Sequence, residues 1–483
     1  MAGIQRERED KFDVDMSFVM PALDDLVRDG RRVERATVNL ESTYFDTADH
    51  TLLGQHVTLR RREGDIDTGW QLKVPDGKAR TEIRLPPQGG DGVPAELSDL
   101  VAGLSLGRPL GPIAILRTQR RVQRLMSEDD LVVLEAADDL VHAAVLGGTA
   151  VICEWREVEL ELGTGTEKLL AKAGKRLVQA GAQPSANPSK LARALGGPHP
   201  EGHARSGAVA VVGDYLAEQY HALGAGDVSL RRGLDPVHPT RVATRRLRST
   251  LRVFAALFDP AASEALDDEL AWYAGLLGAV RDRQVQRIRF ADAIAALPPE
   301  LVLGPVAAHI EQRLLSEQLH HGQQLMDALT SDRYRALLST VATWATTPPF
   351  TPAADGDAGL LLPYVKKAGR KAARRLRAAL GPHGGDEALH RARKAAKRAG
   401  YAAELATPCL GTKAAKTAIT TYKAAQEVLG EHHDSVVAAD LLRVLGAQAG
   451  TTPGQNGFTY GLLYAREEHA AQHARYAAAT LSL

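Results

Sequence analysis

In the first 200 residues, polar and apolar positions alternate in short runs, which is the pattern of β-strands. In residues 157–162, glutamates occupy every second position and Val158, Leu160 and Leu162 fill the positions between them. Successive side chains of a strand point to opposite faces of its sheet. Similar alternation occurs at 57–62, 70–74 and 80–85. The pattern predicts an antiparallel sheet with one apolar face and one charged face.

The charged face changes sign from strand to strand. Acids dominate the first and last strands, at Glu7, Glu9, Glu157 and Glu159, and bases dominate the strands between them. The basic positions are Arg60, Arg62, Lys73, Arg80 and Arg120. A solvated sheet surface explains any one strand. The agreement among several strands instead favours a lumen in which carboxylates hold a cation and that cation faces an anion.

Helical spacing replaces the alternation from about residue 208. His238, Arg241, Arg245, Arg248 and Arg252 are spaced 3, 4, 3 and 4 residues apart, which places them on one face of a helix. A separate apolar stripe faces a core and contains Leu247, Leu251, Phe254 and Phe258. The pattern therefore predicts a helix with one basic and one apolar face.

This helical pattern recurs at an offset of 152 residues, which predicts a duplicated helical bundle. His238, Arg241 and Arg246 recur as His390, Arg393 and Arg398, and Arg245 recurs as Lys397. Downstream, Leu277, Gly278, Asp282 and Val285 recur as Leu429, Gly430, Asp434 and Val437. The segment before the second copy adds the bases Lys367, Arg370 and Arg374.

Changes in composition divide the chain into domains. A stretch rich in Gly, Pro and His near residue 200 separates domain 1–200 from domain 208–483, with 201–207 as a linker. A second break at 346–359 divides the helical part into repeats of about 208–346 and 360–483. The predicted class is α+β and multidomain.

Composition narrows the classes of function. The two cysteines, Cys153 and Cys409, have no metal-site spacing and indicate reduced thiols of a cytosolic protein. No signal peptide is expected at the N-terminus, and no run of about 18 apolar residues could span a membrane. The formal charge of zero conceals a segregation, because residues 361–430 contain 15 basic and 4 acidic residues. Such segregation predicts a polyanionic partner for the C-terminal part.

The N-terminal motifs resemble those of the CYTH domain, the triphosphate tunnel metalloenzyme family. The resemblance rests on Glu7-x-Glu9-x-Lys11, the strands described above and Ser189-Lys190. It implies an eight-stranded antiparallel β tunnel with flanking helices, and a divalent cation, Mg²⁺ or Mn²⁺, as cofactor. The implied metal ligands are Glu7, Glu9, Glu157 and Glu159, with Glu7, Glu9 and Lys11 as catalytic residues. The implied phosphate-binding residues are Arg60, Arg62, Lys73, Arg80, Arg120 and Lys190. Asp138 or Asp139 matches a further acid of the family.

The C-terminal part resembles the CHAD domain, which implies two four-helix bundles around a basic channel that binds inorganic polyphosphate. The expected binding residues are His238, Arg241, Arg245, Arg248, Lys367, Arg370, Arg374, His390, Arg393 and Lys397. Metal chelation by the histidines is an alternative, although the neighbouring arginines favour phosphate. His238 could also cap or orient a helix.

Together the two resemblances predict a cytoplasmic enzyme that hydrolyses inorganic triphosphate or polyphosphate, with polyphosphate granules as a further expected location. A polyphosphate-granule protein that binds without turnover is the alternative, and a class IV adenylyl cyclase is a third. No membrane partner is expected. Nucleic acid is disfavoured, because few aromatic residues lie near the basic stripes.

Overall fold

The computed structural model describes residues 3–26, 32–64, 68–77, 79–90, 92–147, 151–196, 206–452, 455–481 and 483. The chain forms two compact units, Met1–Pro200 and Glu201–Leu483. Most of the predicted linker, residues 201–205, lies outside the described residues, and the first helix of the second unit begins at Gly207.

The first unit is built on one antiparallel sheet. Its strands are β1 (Gly3–Glu7), β2 (Glu9–Val14), β3 (Val33–Asp46), β4 (Thr58–Glu63), β5 (Gly69–Asp76), β6 (Ala79–Leu85), β7 (Gly111–Met126), β8 (Val132–Val145), β9 (Val151–Leu162) and β10 (Gln183–Pro184). Its helices are α1 (Thr51–Gly54), α2 (Ala95–Leu100), α3 (Ala102–Ser105), α4 (Glu167–Gln179) and α5 (Lys190–Ala194), with a 3₁₀ turn at Asp24–Leu26.

The sheet has the order β1-β6-β5-β4-β3-β7-β8-β9-β2-β10. Its two end regions are joined through the N-terminal segment, because β1 pairs with β6, β2 pairs with β9, and only Arg8 separates β1 from β2. The expected eight strands therefore become ten, since Arg8 splits the first strand and the two-residue β10 adds to β2. In hydrogen-bonded order the sheet is open, with β1 and β10 as its edges, whereas the expected tunnel is closed.

The apolar face of the sheet packs against α4. Val158 and Leu160 of β9 are buried in one cluster with Leu170 and Leu177 of α4. Because successive side chains of a strand point to opposite faces, the glutamates of β9 lie on the other face of the sheet. The hydrophobic core of this region thus lies outside the curved sheet, and the charged side chains lie on its inner face.

The short helix α5 is fixed by its own apolar residues. Leu191 and Ala194 pack in a cluster with residues of β7, β8 and β9, including Leu116 and Val141. Ser189 caps the helix by accepting a hydrogen bond from the backbone N–H of Ala192 at 3.1 Å. This packing fixes the backbone position of Lys190, the first residue of α5, and so the point from which its side chain extends.

The second unit is helical. Its helices are α6 (Gly207–Arg231), α7 (Val237–Val253), α8 (Pro260–Ala295), α9 (Val306–Leu329), α10 (Asp332–Thr346), α11 (Leu362–Leu380), α12 (Asp386–Leu405), α13 (Thr407–Leu410), α14 (Thr412–Ala449) and α15 (Phe458–Ala479). Its 3₁₀ turns are Ala255–Leu257, Pro299–Leu301, Pro352–Ala354 and Ala358–Leu361. No helix in the part of the chain that the structure describes is long and apolar enough to cross a membrane.

The helices of the second unit repeat at or close to the offset seen in the sequence. Both α14 and α15 begin 152 residues after α8 and α9, whereas α11 and α12 begin 155 and 149 residues after α6 and α7. The two copies share a core in which Phe290 of α8 and Ile310 of α9 pack with Leu442 of α14 and Leu463 of α15. The predicted duplication is therefore present in the order and lengths of the helices.

Candidate functional site

A cavity of about 290 Å³ lies on the charged face of the sheet in the first unit. Its lining includes nine basic side chains: Lys11, Arg60, Arg62, Lys73, Arg80, Arg84, Arg120, Arg124 and Lys190. Its acidic lining residues are Glu7, Glu9, Glu82, Glu135, Glu159 and Glu161. Every phosphate-binding residue expected in this unit therefore contributes to one cavity, and bases outnumber acids there.

Three carboxylates meet beside this cavity, and Asp139, Glu157 and Glu159 are called the carboxylate cluster below. Of the three, Glu159 lines the cavity, and Asp139 and Glu157 are buried. Their oxygen atoms lie within 4.8 Å of one another. The strand register explains the meeting, because Asp139 of β8 lies opposite Glu157 of β9, and Glu159 follows two residues later on the same face. Hard oxygen ligands in this number fit Mg²⁺ or Mn²⁺.

The ammonium group of Lys190 lies within the carboxylate cluster. Its Nζ is 3.0 Å from Asp139, 2.8 Å from Glu157 and 2.7 Å from Glu159. Burial disfavours the charged amine, but the three carboxylates outweigh burial and raise the pKa of Lys190 above its usual value. Lys190 is the first residue of α5, so the packing of α5 aims it at the cluster.

Two further cations bind the same carboxylates. Arg120 holds Asp139 through two hydrogen bonds, of 2.8 and 2.7 Å, and contacts Glu159 at 2.8 Å. Lys11 also pairs with Glu159. Burial would raise the pKa of Glu159, but Lys11, Lys190 and Arg120 lower it well below its usual value. Each carboxylate of the cluster therefore has at least one cationic partner.

Glu7 lies apart from the carboxylate cluster and contacts Glu82 and Lys73. Lys73 Nζ is 2.5 Å from Glu7 and 3.4 Å from Glu82. Burial and a hydrogen bond with Glu82 raise the pKa of Glu7 to about 8. Glu82 was not among the expected site residues, although the Arg80-x-Glu82 spacing places it on the same face of β6 as Arg80.

Glu9 lies between the carboxylate cluster and the group formed by Glu7, Glu82 and Lys73. Burial would raise its pKa, but Lys11, at 3.1 Å, and Lys73 lower the pKa of Glu9 to about 2. The four expected metal ligands therefore do not converge at one point in the structure. Glu157 and Glu159 are joined by Asp139, whereas Glu7 and Glu9 lie along the neighbouring strand segment and contact lysines.

The choice between Asp138 and Asp139 is decided by the faces of β8. Asp138 binds Arg156 through two hydrogen bonds of 2.8 Å. Arg156 also borders a separate pocket with Phe18 and Met20. Asp139 is fully buried and contacts Arg120 and Lys190. Adjacent residues of a strand face opposite ways, so Asp139 is the one in the carboxylate cluster.

Neutral oxygen atoms orient several bases on the other side of the cavity. Arg60 donates to Gln71 at 2.7 Å and to the hydroxyl of Tyr44 at 3.1 Å. Arg62 donates to Ser42 at 3.3 Å. Arg80 donates to the backbone carbonyl of Pro188 at 3.1 Å. A guanidinium group oriented by a neutral oxygen keeps its positive charge, which attracts an oxyanion.

In the second unit, α7 and α12 pack together and bring four bases close to one another. Arg241, Arg245, Arg393 and Lys397 are called the central basic cluster below. Burial, followed by Arg245, Arg393 and Arg241, lowers the pKa of Lys397 to about 6. The expected residues Arg241, Arg245, Arg393 and Lys397 thus meet, although two of them lie 152 residues from the other two.

The repeated Leu-Gly-x-x-x-Asp motif supports the arginines of this cluster. Arg241 pairs with Asp282 at 3.3 Å, and Arg393 pairs with Asp434 at 3.7 Å. A Cβ atom on Gly278 would lie 3.3 Å from Arg241 Nη2, so the glycine leaves room for the guanidinium group against α8. The motif therefore holds one arginine in each repeat.

The histidines differ between the repeats. The rings of His390 and His433 lie 4.3 Å apart between centroids. Burial and the neighbouring His433 lower the pKa of His390 to about 4. Burial and Arg281 lower the pKa of His238. Position 281 corresponds to 433 at the offset of 152, so the second repeat has a histidine where the first has an arginine, and repetition of identical residues does not predict this pair.

The remaining expected bases lie elsewhere on the second unit. Arg248 pairs with Asp267 at 3.0 Å. On α11, Lys367, Arg370 and Arg374 are exposed. The same helix carries Lys371, whose pKa is lowered by burial and by bases of α11 and α12. These residues form a basic surface beside the central basic cluster.

Comparisons with known proteins agree with this division. A CYTH domain model matches residues 7–194, and a CHAD domain model matches residues 214–443. Two uncharacterized proteins of Mycobacterium tuberculosis, from strains CDC 1551 and H37Rv, are each 36% identical over 491 residues. The alignments cover 97% of this chain and 94% of each relative.

Solved structures resemble one unit at a time. PptA from Streptomyces chartreusis is 23% identical, with 57% of this chain and 99% of that chain covered and a TM-score of 0.49. The CHAD domain from Ricinus communis is 26% identical, with coverages of 57% and 93% and a TM-score of 0.45. A putative adenylyl cyclase from Hippeastrum with a dominant triphosphatase activity is 19% identical, with coverages of 40% and 98% and a TM-score of 0.23.

Proposed function

Because the chain belongs to the family of proteins that join a CYTH domain to a CHAD domain, we propose that it is a metal-dependent phosphohydrolase. Its first unit would hydrolyse inorganic triphosphate or polyphosphate, and its second unit would bind inorganic polyphosphate. The observation that carries the proposal is a cavity lined by nine bases, in which the lining residue Glu159 belongs to the carboxylate cluster.

The lining of the cavity suits a bare phosphate chain. Several Arg and Lys side chains are needed to offset its charge, and guanidinium groups can bind phosphate oxygens through two N–H donors at once. Tyr44 is the aromatic residue among the described lining residues, and it is held by Arg60. A nucleobase would need more apolar or aromatic surface, which disfavours the adenylyl cyclase alternative.

The proposed hydrolysis relies mainly on positioning and on stabilisation of charge. When bound, a divalent ion would polarise a phosphoryl oxygen and offset developing negative charge. Asp139, Glu157 and Glu159 would hold it. Arg60, Arg62 and Lys73 would bind phosphate oxygens on the opposite side.

The proposed binding of polyphosphate by the second unit rests on the central basic cluster. Burial and then the other bases of the cluster lower the pKa of Lys397, and Asp434 acts in the opposite direction. A polyanion would relieve the repulsion among these bases. Asp282 pairs with Arg241 at 3.3 Å, and Asp434 pairs with Arg393 at 3.7 Å.

A granule-associated protein that binds without turnover remains the second candidate, and one experiment separates the two. The full-length protein is assayed for phosphate release from triphosphate, long polyphosphate and ATP with Mg²⁺ or Mn²⁺. We expect metal-dependent release from triphosphate or polyphosphate and little from ATP.

The matched variants are Glu159→Gln and Glu154→Gln, which change two glutamates of the same strand. Glu159 belongs to the carboxylate cluster, whereas Glu154 is exposed and contacts His142. We expect release to fall at least 100-fold in the first variant and to stay unchanged in the second. Absence of release from the wild-type protein with either metal would support the non-catalytic candidate.

A further inference from the structure

The position of Lys190 suggests how binding of metal and of phosphate are linked, an inference that rests on the proposed function. Its ammonium group contacts all three members of the carboxylate cluster at 2.7–3.0 Å. A Mg²⁺ ion needs oxygen ligands at about 2.0–2.1 Å. An ion bound by these carboxylates and the ammonium group therefore cannot share the same space.

The charges of the cluster lead to the same conclusion. Each carboxylate already has a cationic partner, since Lys190 contacts all three, Arg120 contacts Asp139 and Glu159, and Lys11 pairs with Glu159 as well as with Glu9. A divalent ion added to this buried group would bring further positive charge close to those cations. Burial of uncompensated charge is costly. Metal alone is therefore expected to bind weakly.

A phosphate chain changes both conditions that oppose metal binding, the position of the ammonium group and the added positive charge. It supplies negative charge for the added ion, and it offers the displaced ammonium group new oxygen partners. Lys190 lines the cavity as well as contacting the cluster, so its flexible side chain has space in which to turn towards a ligand. Leu191 and Ala194 hold the backbone of α5 in the core meanwhile.

We infer that Lys190 is a displaceable internal cation. It occupies the carboxylate cluster in the free protein and moves to phosphate when a divalent ion and a phosphate chain bind together. Metal and phosphate then bind with positive cooperativity, each increasing the affinity for the other by the same factor. Lys190 acts here as a positioning residue for the metal ligands.

The test measures Mn²⁺ binding to the full-length protein by the electron paramagnetic resonance signal of free Mn²⁺. Titrations are made with and without a methylene-bridged triphosphate, which cannot be hydrolysed at the bridge. For the wild-type protein we expect the analogue to increase Mn²⁺ affinity at least tenfold. Equal affinity with and without the analogue would overturn the inference, and this arm needs no variant.

The variant Lys190→Met removes the charge at similar length. Without the analogue, we expect it to bind Mn²⁺ at least tenfold more tightly than the wild-type protein. Lys190→Arg keeps a cation and should bind Mn²⁺ alone as weakly as the wild-type protein. Lys168→Met, which changes an exposed residue of α4, is the control and should match the wild-type protein.

The outcomes separate this inference from the proposed function. If Lys190→Met binds Mn²⁺ alone no more tightly than the wild-type protein, Lys190 is not a competing cation, yet tight Mn²⁺ binding with the analogue would leave the proposed function intact. If neither protein binds Mn²⁺ even with the analogue, both the inference and the proposed metal site are wrong.

Discussion

The protonation of Lys397 leads to a specific prediction for polyphosphate binding. Burial and the bases Arg245, Arg393 and Arg241 lower the pKa of Lys397 to about 6 in the free protein. At pH 7.5 the amine is therefore mostly neutral. A bound polyanion favours the charged form and raises this pKa, so binding takes up a proton.

The magnitude follows from the pKa. One pKa unit corresponds to about 1.4 kcal/mol, so charging Lys397 at pH 7.5 makes the binding free energy less favourable by about 2 kcal/mol. Well below pH 6 the amine is already charged, and this cost is absent. Affinity for polyphosphate is thus present in full well below pH 6 and decreases as the pH rises through 6, where half of the amines are charged. The charged fraction falls to about 3% at pH 7.5, so we expect about a 15-fold loss of affinity between pH 6 and pH 7.5.

The assay follows the anisotropy of fluorescently labelled long polyphosphate titrated with full-length protein in EDTA, which suppresses metal-dependent hydrolysis. Lys397→Arg replaces the titrating amine with a guanidinium group that stays charged, as in the equivalent position Arg245. This variant should lose most of the pH dependence and bind more tightly than the wild-type protein at pH 7.5. Lys413→Arg, at an exposed position, is the control.

His238, His390 and His433 also titrate near this cluster, with lowered pKa values. They are present in both the wild-type protein and Lys397→Arg, so the ratio of the two affinities at each pH isolates the lysine. The same pH slope in both proteins would refute the reasoning.

Three further predictions concern other parts of the molecule. Arg241→Ala and Arg393→Ala should each weaken binding of long polyphosphate and reduce its dependence on salt, because fewer counterions are released. Anisotropy at several salt concentrations measures this dependence. Unchanged salt slopes would mean that the ligand binds elsewhere. Leu160→Ala, in the core between β9 and α4, should lower the free energy of unfolding by about 2–5 kcal/mol, whereas a change below about 0.5 kcal/mol in chemical denaturation would contradict the packing. Asp139→Asn should abolish metal-dependent phosphate release, while Asp138→Asn should retain it, and equal loss in both would show that β8 faces the cavity differently.

The sequence predicted features that depend on local periodicity. The alternation of Glu157, Val158 and Glu159 correctly predicted a strand with charged and apolar faces, because the period of a strand is a property of a few consecutive residues. The offset of 152 residues likewise predicted the order of the helices in the second unit. The family membership inferred from these motifs is confirmed by the two domain models.

Contacts between distant residues could not be predicted in the same way. That Lys190 lies among the three carboxylates depends on the packing of α5, and that Arg248 pairs with Asp267 depends on how α7 meets α8. The neighbouring rings of His390 and His433 come from two helices whose crossing is not encoded in either segment alone. The interruption of the first strand at Arg8 also has no signal in the alternation around it.

The N-terminal segment pairs with two different strands, β1 with β6 and β2 with β9, and this has a consequence during synthesis on the ribosome. Strand β2 emerges well before its partner β9, because the paired residues Lys11 and Glu159 are separated by 148 residues in the sequence. At 5–20 residues per second, this delay is roughly 7–30 s. Throughout that time the backbone N–H and C=O groups of β2 lack both native partners, because β10 follows β9 in the chain, and unpaired strand edges promote association between chains. The charged residues Glu9, Asp10 and Lys11 would keep the unpaired segment hydrated, so Glu9 and Lys11, which later line the cavity, also protect the nascent chain.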